Sequence, residues 1–152
     1  MTMTPMSEQP TVDARRLALA LLIMRISLGV FVLLWGLEKL IIPERTVGIY
    51  DKFYGIELDV AVAPFLGVAQ CVLAAVFLAG LWRRWSYGLV TVFHAYSVIT
   101  SWHSLIDPWG LLHGEVKHLF LAGVPVLAAF LALYMLREYD LWSVEGRRAR
   151  EP

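Results

Sequence analysis

Cysteine is nearly absent: Cys71 is the only one in 152 residues. A single thiol excludes an internal disulfide, and with it a membrane dithiol oxidoreductase working through its own cysteine pairs. Charge is scarce as well. Only 17% of the residues are charged, against about 25% in an ordinary soluble domain. The 13 basic and 13 acidic residues cancel and no basic block stands out, which argues against nucleic acid as a partner. Nucleotide-loop and nucleophile-elbow signatures are missing, with no GxGxxG and no GxSxG. Ser97, Ser101, His103 and Ser104 follow His94 closely but fit no triad order.

What is abundant is apolar. Hydrophobic residues make up 59% of the chain, against about 45–50% in a soluble domain, and the mean hydropathy is +0.63. A soluble globule of this size cannot hide that much apolar surface, and neither disorder nor a coiled coil fits. A helix needs about 20 apolar residues to cross the hydrocarbon. Four runs qualify: Leu17 to Ile42, Val60 to Leu81, Trp85 to Trp102 and Leu119 to Leu136. The first is too long for the apolar core of a cleaved signal, and no small-residue cleavage site follows it. The chain divides into a polar tail (1–14), one four-span membrane domain (15–144) and a second tail (145–152) with no apolar face.

Arginines set the orientation. Arg15, Arg16, Arg83, Arg84, Arg137, Arg147, Arg148 and Arg150 all fall on one side of four spans. Positive loops stay in the cytoplasm, so both termini are expected inside, in a bacterial-type inner membrane. The expected fold is all-α: an antiparallel up-down four-helix bundle. Trp82, Trp85 and Tyr87 mark one boundary, and Trp35, Tyr50, Trp102 and Trp109 the other. The outer loops, 43–59 and 103–118, carry enough apolar residues to lie in the interface, and such loops often carry function.

Lipid offers no hydrophobic drive between helices, so close backbone contact must hold them. Span two has small residues at every fourth position: Ala63, Gly67, Cys71, Ala75 and Ala79. Cys71 is accounted for by this packing stripe. Gly29 and Gly36 share a face of span one, Ala122, Ala129 and Ala132 lie in span four, and Pro125 is expected to kink that last span.

Three polar residues stand against the hydropathy: Arg25, Gln70 and His94. Their depths place them in one broad layer. Arg25 either slides to the inner boundary and snorkels or faces an internal partner. No acidic residue lies in a span core to neutralise it, which brings a carbonyl-bearing ligand such as a quinone headgroup into view. His94 is either a packing residue hydrogen-bonded to Ser97 or Gln70, or a ligand- or proton-handling group, with an axial haem role the least favoured. An outer polar cluster comprises Glu38, Lys39, His103, Asp107, His113, Glu115 and His118. His103, His113 and His118 suggest a metal site, although the five-residue step from His113 to His118 matches no zinc motif.

The stretch Arg25-Ile-Ser-Leu-Gly29, continuing through Trp35-Gly36-Leu-Glu38-Lys39-Leu40, resembles the first span of the DoxX/DoxD-like family. Phe53 and Gly55, Gln70 in a small-residue helix, and Gly80-Leu81-Trp82-Arg83 extend the likeness over residues 15–102. The resemblance implies a small four-helix membrane protein, similar to subunits of a thiosulfate:quinone oxidoreductase or to proteins that accompany redox enzymes. It marks Arg25, Gly29, Gly36 and Lys39 as family-like positions. The leading expectation is therefore a membrane subunit or anchor of a quinone-linked redox assembly, an accessory of an oxidoreductase more than a stand-alone enzyme. It would work with a protein partner or a second copy in the lipid bilayer. The alternatives are a non-catalytic scaffold, and a small carrier or metal-handling protein using the outer histidines.

Overall fold

The computed structural model describes residues 13–112, 114 and 116–150. It is all-helical, with no strand among those residues. Most of the expected 1–14 tail, together with His113 and Glu115 of the outer cluster, lies outside the described residues.

Helix α1 (Ala14–Ile41) begins earlier than the apolar run, because Asp13 caps it by accepting from Arg15 N at 2.9 Å. It stops where Pro43 forces its predecessor out of helical geometry, with Ile42 at φ −135°. Pro43 then opens α2 (Pro43–Ile49), where a missing N–H needs no partner. A π-helical turn, Tyr50–Tyr54, follows and ends at Gly55. Thus part of the first outer loop is itself helical. Helix α3 (Ala63–Ala79) closes in a Schellman arrangement: Gly80 N donates to Phe77 O at 2.9 Å and Leu81 N to Val76 O at 3.1 Å. Helix α4 (Arg83–Thr100) is followed by the short α5 (Trp102–Ile106). A 3-10 turn, His118–Ala122, runs into α6 (Gly123–Met135). After a second 3-10 turn, Arg137–Tyr139, the short α7 (Val144–Arg148) ends the described chain.

Two stretches, Ala14–Ile41 and His118–Met135, are long and apolar enough to cross a membrane. Helix α3 is apolar but has 17 residues, and α4 opens on two arginines. Fewer segments therefore qualify by length and composition than the four apolar runs suggest.

The long helices pack as two antiparallel pairs, α1 with α3 and α4 with α6; α3 also touches α4, and α1 touches α6. Glycine sets the first pair. A Cβ on Gly36 would lie 2.8 Å from Cys71 Sγ and 3.2 Å from Cys71 N, and one on Gly67 would lie 3.0 Å from Gly36 O. Backbones this close leave no room for a side chain. Cys71 is thus a packing residue. The four-residue stripe is only partly right, however. Ala63, Gly67 and Ala74 are buried while Ala75 is exposed. Each four-residue step overshoots a turn by about 40°, so the contact face passes from 71 to 74. In the second pair, a Cβ on Gly123 would meet Val98 at 3.2 Å, and one on Gly88 would meet Tyr134 at 3.3 Å. Pro125 falls in the first turn of α6, where it removes no helix bond; the expected irregularity precedes it as the 3-10 turn.

Leu21, Leu28, Val32, Ala74, Phe77, Tyr87, Val90, Phe130 and Leu133 form the core between the helices. Outside it, Ile23, Leu34, Phe65, Val72, Val92, Phe93, Ile99, Leu131 and Met135 are exposed.

Candidate functional site

Arg25 is buried, at 3% exposure, and points into the end of α3. Its Nη1 donates to the Leu78 carbonyl and its Nη2 to the Trp142 carbonyl at 3.2 Å. Its Nε lies 3.1 Å from Oδ2 of Asp140, which is fully buried. Tyr87 donates its hydroxyl proton to the same carboxylate oxygen at 2.6 Å. The last carbonyls of a helix lack internal partners, so Leu78 is a natural acceptor. Gly80 makes room for the guanidinium. A Cβ there would lie 3.0 Å from Arg25 Nη1 and 2.4 Å from Ser143 Cβ, and the residue sits at φ +66°.

Arg83 builds a second layer. Its side chain donates to the carbonyls of Arg137 and Asp140 and approaches Glu138 and Glu145 at 3.8 and 3.4 Å. Glu145 also accepts from Arg83 N at 2.8 Å, capping α4 from 62 residues away. Ser143 donates to Asp140 O at 2.7 Å and accepts from Gly146 N at 3.0 Å, which starts α7. The described part of the expected C-terminal tail is therefore held against the end of α3 and the start of α4. It has no apolar stripe because polar contacts hold it.

Gln70 and His94 lie elsewhere. Gln70 Nε2 donates to Val32 O at 2.9 Å across the α1–α3 contact. Val32 is seven residues from Arg25, about 10 Å along the helix. His94 Nε2 lies 3.0 Å from Gly123 O, with its ring edge-on to Phe31 and beside Phe130. The expected partners, Ser97 and Gln70, are not the ones used, because Gly123 lets α6 come close to α4. A carbonyl oxygen only accepts, so Nε2 carries the proton and the neutral ring keeps its acceptor lone pair on Nδ1. No hydrogen bond joins Arg25, Gln70 and His94: Gln70 and His94 lie level with Val32 and Phe31 of α1, and Arg25 lies nearer the end of α3.

Five residues of the outer cluster are described. Glu38 pairs with Arg45 at 3.0 Å, and Lys39 Nζ donates to Trp35 O at 3.2 Å. The His103 ring lies beside that of Trp102, tilted by 35° with centroids 3.6 Å apart. Asp107 is buried and accepts from Leu111 N and Leu112 N at 2.7 and 2.8 Å. His118 is exposed at the start of its 3-10 turn. Among the described residues no three His, Cys, Asp or Glu side chains gather as a metal would need. Tyr50, in the first outer loop, has its phenol pKa pushed up by burial and by neighbouring Tyr54 and Tyr96.

Asp140, Tyr87, Arg83 and Glu145 are the residues that a search of span cores misses. A signal was present: an arginine inside an apolar run needs a carboxylate, and Glu138, Asp140 and Glu145 follow the last run directly.

No family model matches the chain, and no curated protein or solved structure matches it.

Chemically, Arg25 is neutralised by Asp140, and both its Nη atoms donate to carbonyls. Among the described residues, Arg25 Nε and Asp140 Oδ1 are buried without a hydrogen bond, while His94 and Gln70 keep acceptor atoms, Nδ1 and the amide oxygen, beyond the contacts their Nε2 atoms make.

Proposed function

We propose that this chain is an integral membrane protein, an antiparallel four-helix bundle with both termini cytoplasmic. In this reading it serves as the membrane subunit of a quinone-linked redox assembly. The exposed apolar side chains support the membrane part. Each one left in water forfeits about 1.5–3 kcal/mol, so the whole belt rivals a domain's net stability of about 5–15 kcal/mol. Lipid removes that penalty. The likeness of residues 15–102 to DoxX-type proteins supports the redox part.

The observation that carries the ligand reading is the contact of His94 Nε2 with Gly123 O at 3.0 Å, which leaves Nδ1 as the acceptor of a neutral ring. An imidazole with its lone pair on Nδ1 accepts a proton from a hydroquinone hydroxyl, and Gln70 offers a second acceptor. Arg25 holds the bundle end and takes no part in binding. The electrons go to a partner protein, since the chain supplies no redox centre of its own in this reading. The test is titration of detergent-purified protein with a short-chain quinol. Stoichiometric binding that His94→Ala and Gln70→Ala each weaken at least about tenfold, a loss of about 1.4 kcal/mol, supports the reading. Equal binding by wild type and both variants, or none by wild type, rejects it.

A second reading has its own support: Arg25, Gln70 and His94 each find an acceptor or counter-ion within the chain. A non-catalytic scaffold needs no more. Its signature is loss of a partner complex on changes in the outer loops, with His94→Ala silent.

A further inference from the structure

The second outer loop is built to hold apolar side chains outward. Asp107 has 5% exposure, and its two carboxylate oxygens accept separately from Leu111 N at 2.7 Å and Leu112 N at 2.8 Å. Gly110 turns the chain at φ +71°. Gly114 N donates to Gly110 O at 2.9 Å, and Lys117 N donates to Pro108 O at 2.9 Å, which draws the two arms of the loop together. On this frame Trp109 is 67% exposed, Leu111 83%, Leu112 75% and Val116 65%.

In water, apolar side chains on a loop lower their free energy by folding back onto the nearest apolar surface. Here the carboxylate of Asp107 points inward and ties down the backbone. Between Ile106 and Leu112 no exposed residue is charged. We infer that this loop is a preformed interfacial anchor whose Trp109, Leu111 and Leu112 seat in the headgroup–acyl boundary of the outer leaflet. The inference rests on the membrane reading proposed above.

Two observations select lipid as the occupant. The first is continuity. Exposed Ile99, Trp102 and Ile106 lead from α4 to the loop, and exposed Leu119, Leu121 and Val124 lead from it into α6. The tip thus continues the exposed apolar side chains of α4 and α6, with His103 and His118 exposed on the two arms that join it to them. The second is chemistry. An indole beside two leucines suits a boundary that is apolar below and polar above. A soluble partner would leave these side chains in water whenever it dissociates, whereas a bilayer is always present.

The experiment is depth-dependent fluorescence quenching in phosphatidylcholine proteoliposomes. Subtracting the spectrum of Trp109→Phe from wild type isolates the Trp109 emission. A Val92→Trp variant in the Trp109→Phe background reports the middle of the belt, since Val92 is exposed halfway along α4. The expected result is a blue-shifted Trp109 signal that loses intensity to bromolipid and not to aqueous iodide. If iodide quenches Trp109 while bromolipid quenches the tryptophan at 92, the anchor is overturned and the loop is free for a protein partner. If iodide quenches the tryptophan at 92, the membrane reading itself falls.

Discussion

Replacing Asp140 with Asn keeps the shape of the side chain and removes its charge. Arg25 would then be a cation with 3% exposure and no counter-ion. Breaking a buried pair by removing one partner costs about 3–5 kcal/mol, roughly a hundredfold to a thousandfold or more in the folding equilibrium. Arg25→Met should cost about as much, because it strands the Asp140 carboxylate and two carbonyl acceptors. The double variant Arg25→Met/Asp140→Asn removes both charges and keeps an amide oxygen to accept from the Tyr87 hydroxyl. Only the Leu78 and Trp142 carbonyls are then left short of a donor, at about 1–3 kcal/mol. The double loss should therefore fall well below the sum of the singles, with a coupling of at least about 2 kcal/mol. Reversible unfolding by dodecyl sulfate in mixed micelles, followed by far-UV dichroism, measures all three. Glu44→Gln on the exposed face of α2 is the control, within about 0.5 kcal/mol of wild type. An Asp140→Asn variant within about 1 kcal/mol of wild type, or strictly additive singles, would refute the buried ion pair.

In the same assay Tyr87→Phe removes one hydrogen bond to a charged acceptor and should cost about 1.5–3 kcal/mol, without changing helix content in the folded state. Gly36→Ala drives a methyl into Cys71 Sγ and the α3 backbone, an overpacking of about 1–3 kcal/mol. Gly48→Ala meets nothing within 4 Å and lies inside α2, so helix propensity should make it stabilising by up to about 1 kcal/mol. A reversed order of these two glycine variants in unfolding midpoint would contradict the close α1–α3 approach.

Helix positions were legible because long apolar runs and prolines leave few choices. The run from Leu17 to Ile42 became Ala14–Ile41, and that from Leu119 to Leu136 became His118–Met135. The close packing of Gly36 on Cys71 was legible in outline, since small residues on two runs leave few other uses. The helices of the first outer loop were not, because α2 and the turn after it are too short for a periodic signal. The partner of Arg25 escaped for a different reason. Burial of a charge is decided by tertiary placement, and Asp140 stands in a polar stretch that hydropathy alone assigns to water. His94 stands out in the sequence as a polar residue in an apolar run. Its acceptor, a backbone carbonyl on α6, leaves no trace in residue types.

Arg25 and Trp142 are joined by a hydrogen bond across 117 residues of sequence. Protein synthesis runs from the N-terminus, so the first helix is made long before its counter-ion exists. Until Asp140 leaves the ribosome, the nascent chain carries a guanidinium with no carboxylate to meet it. The first helix is thus neutralised only by a stretch of chain made more than a hundred residues later.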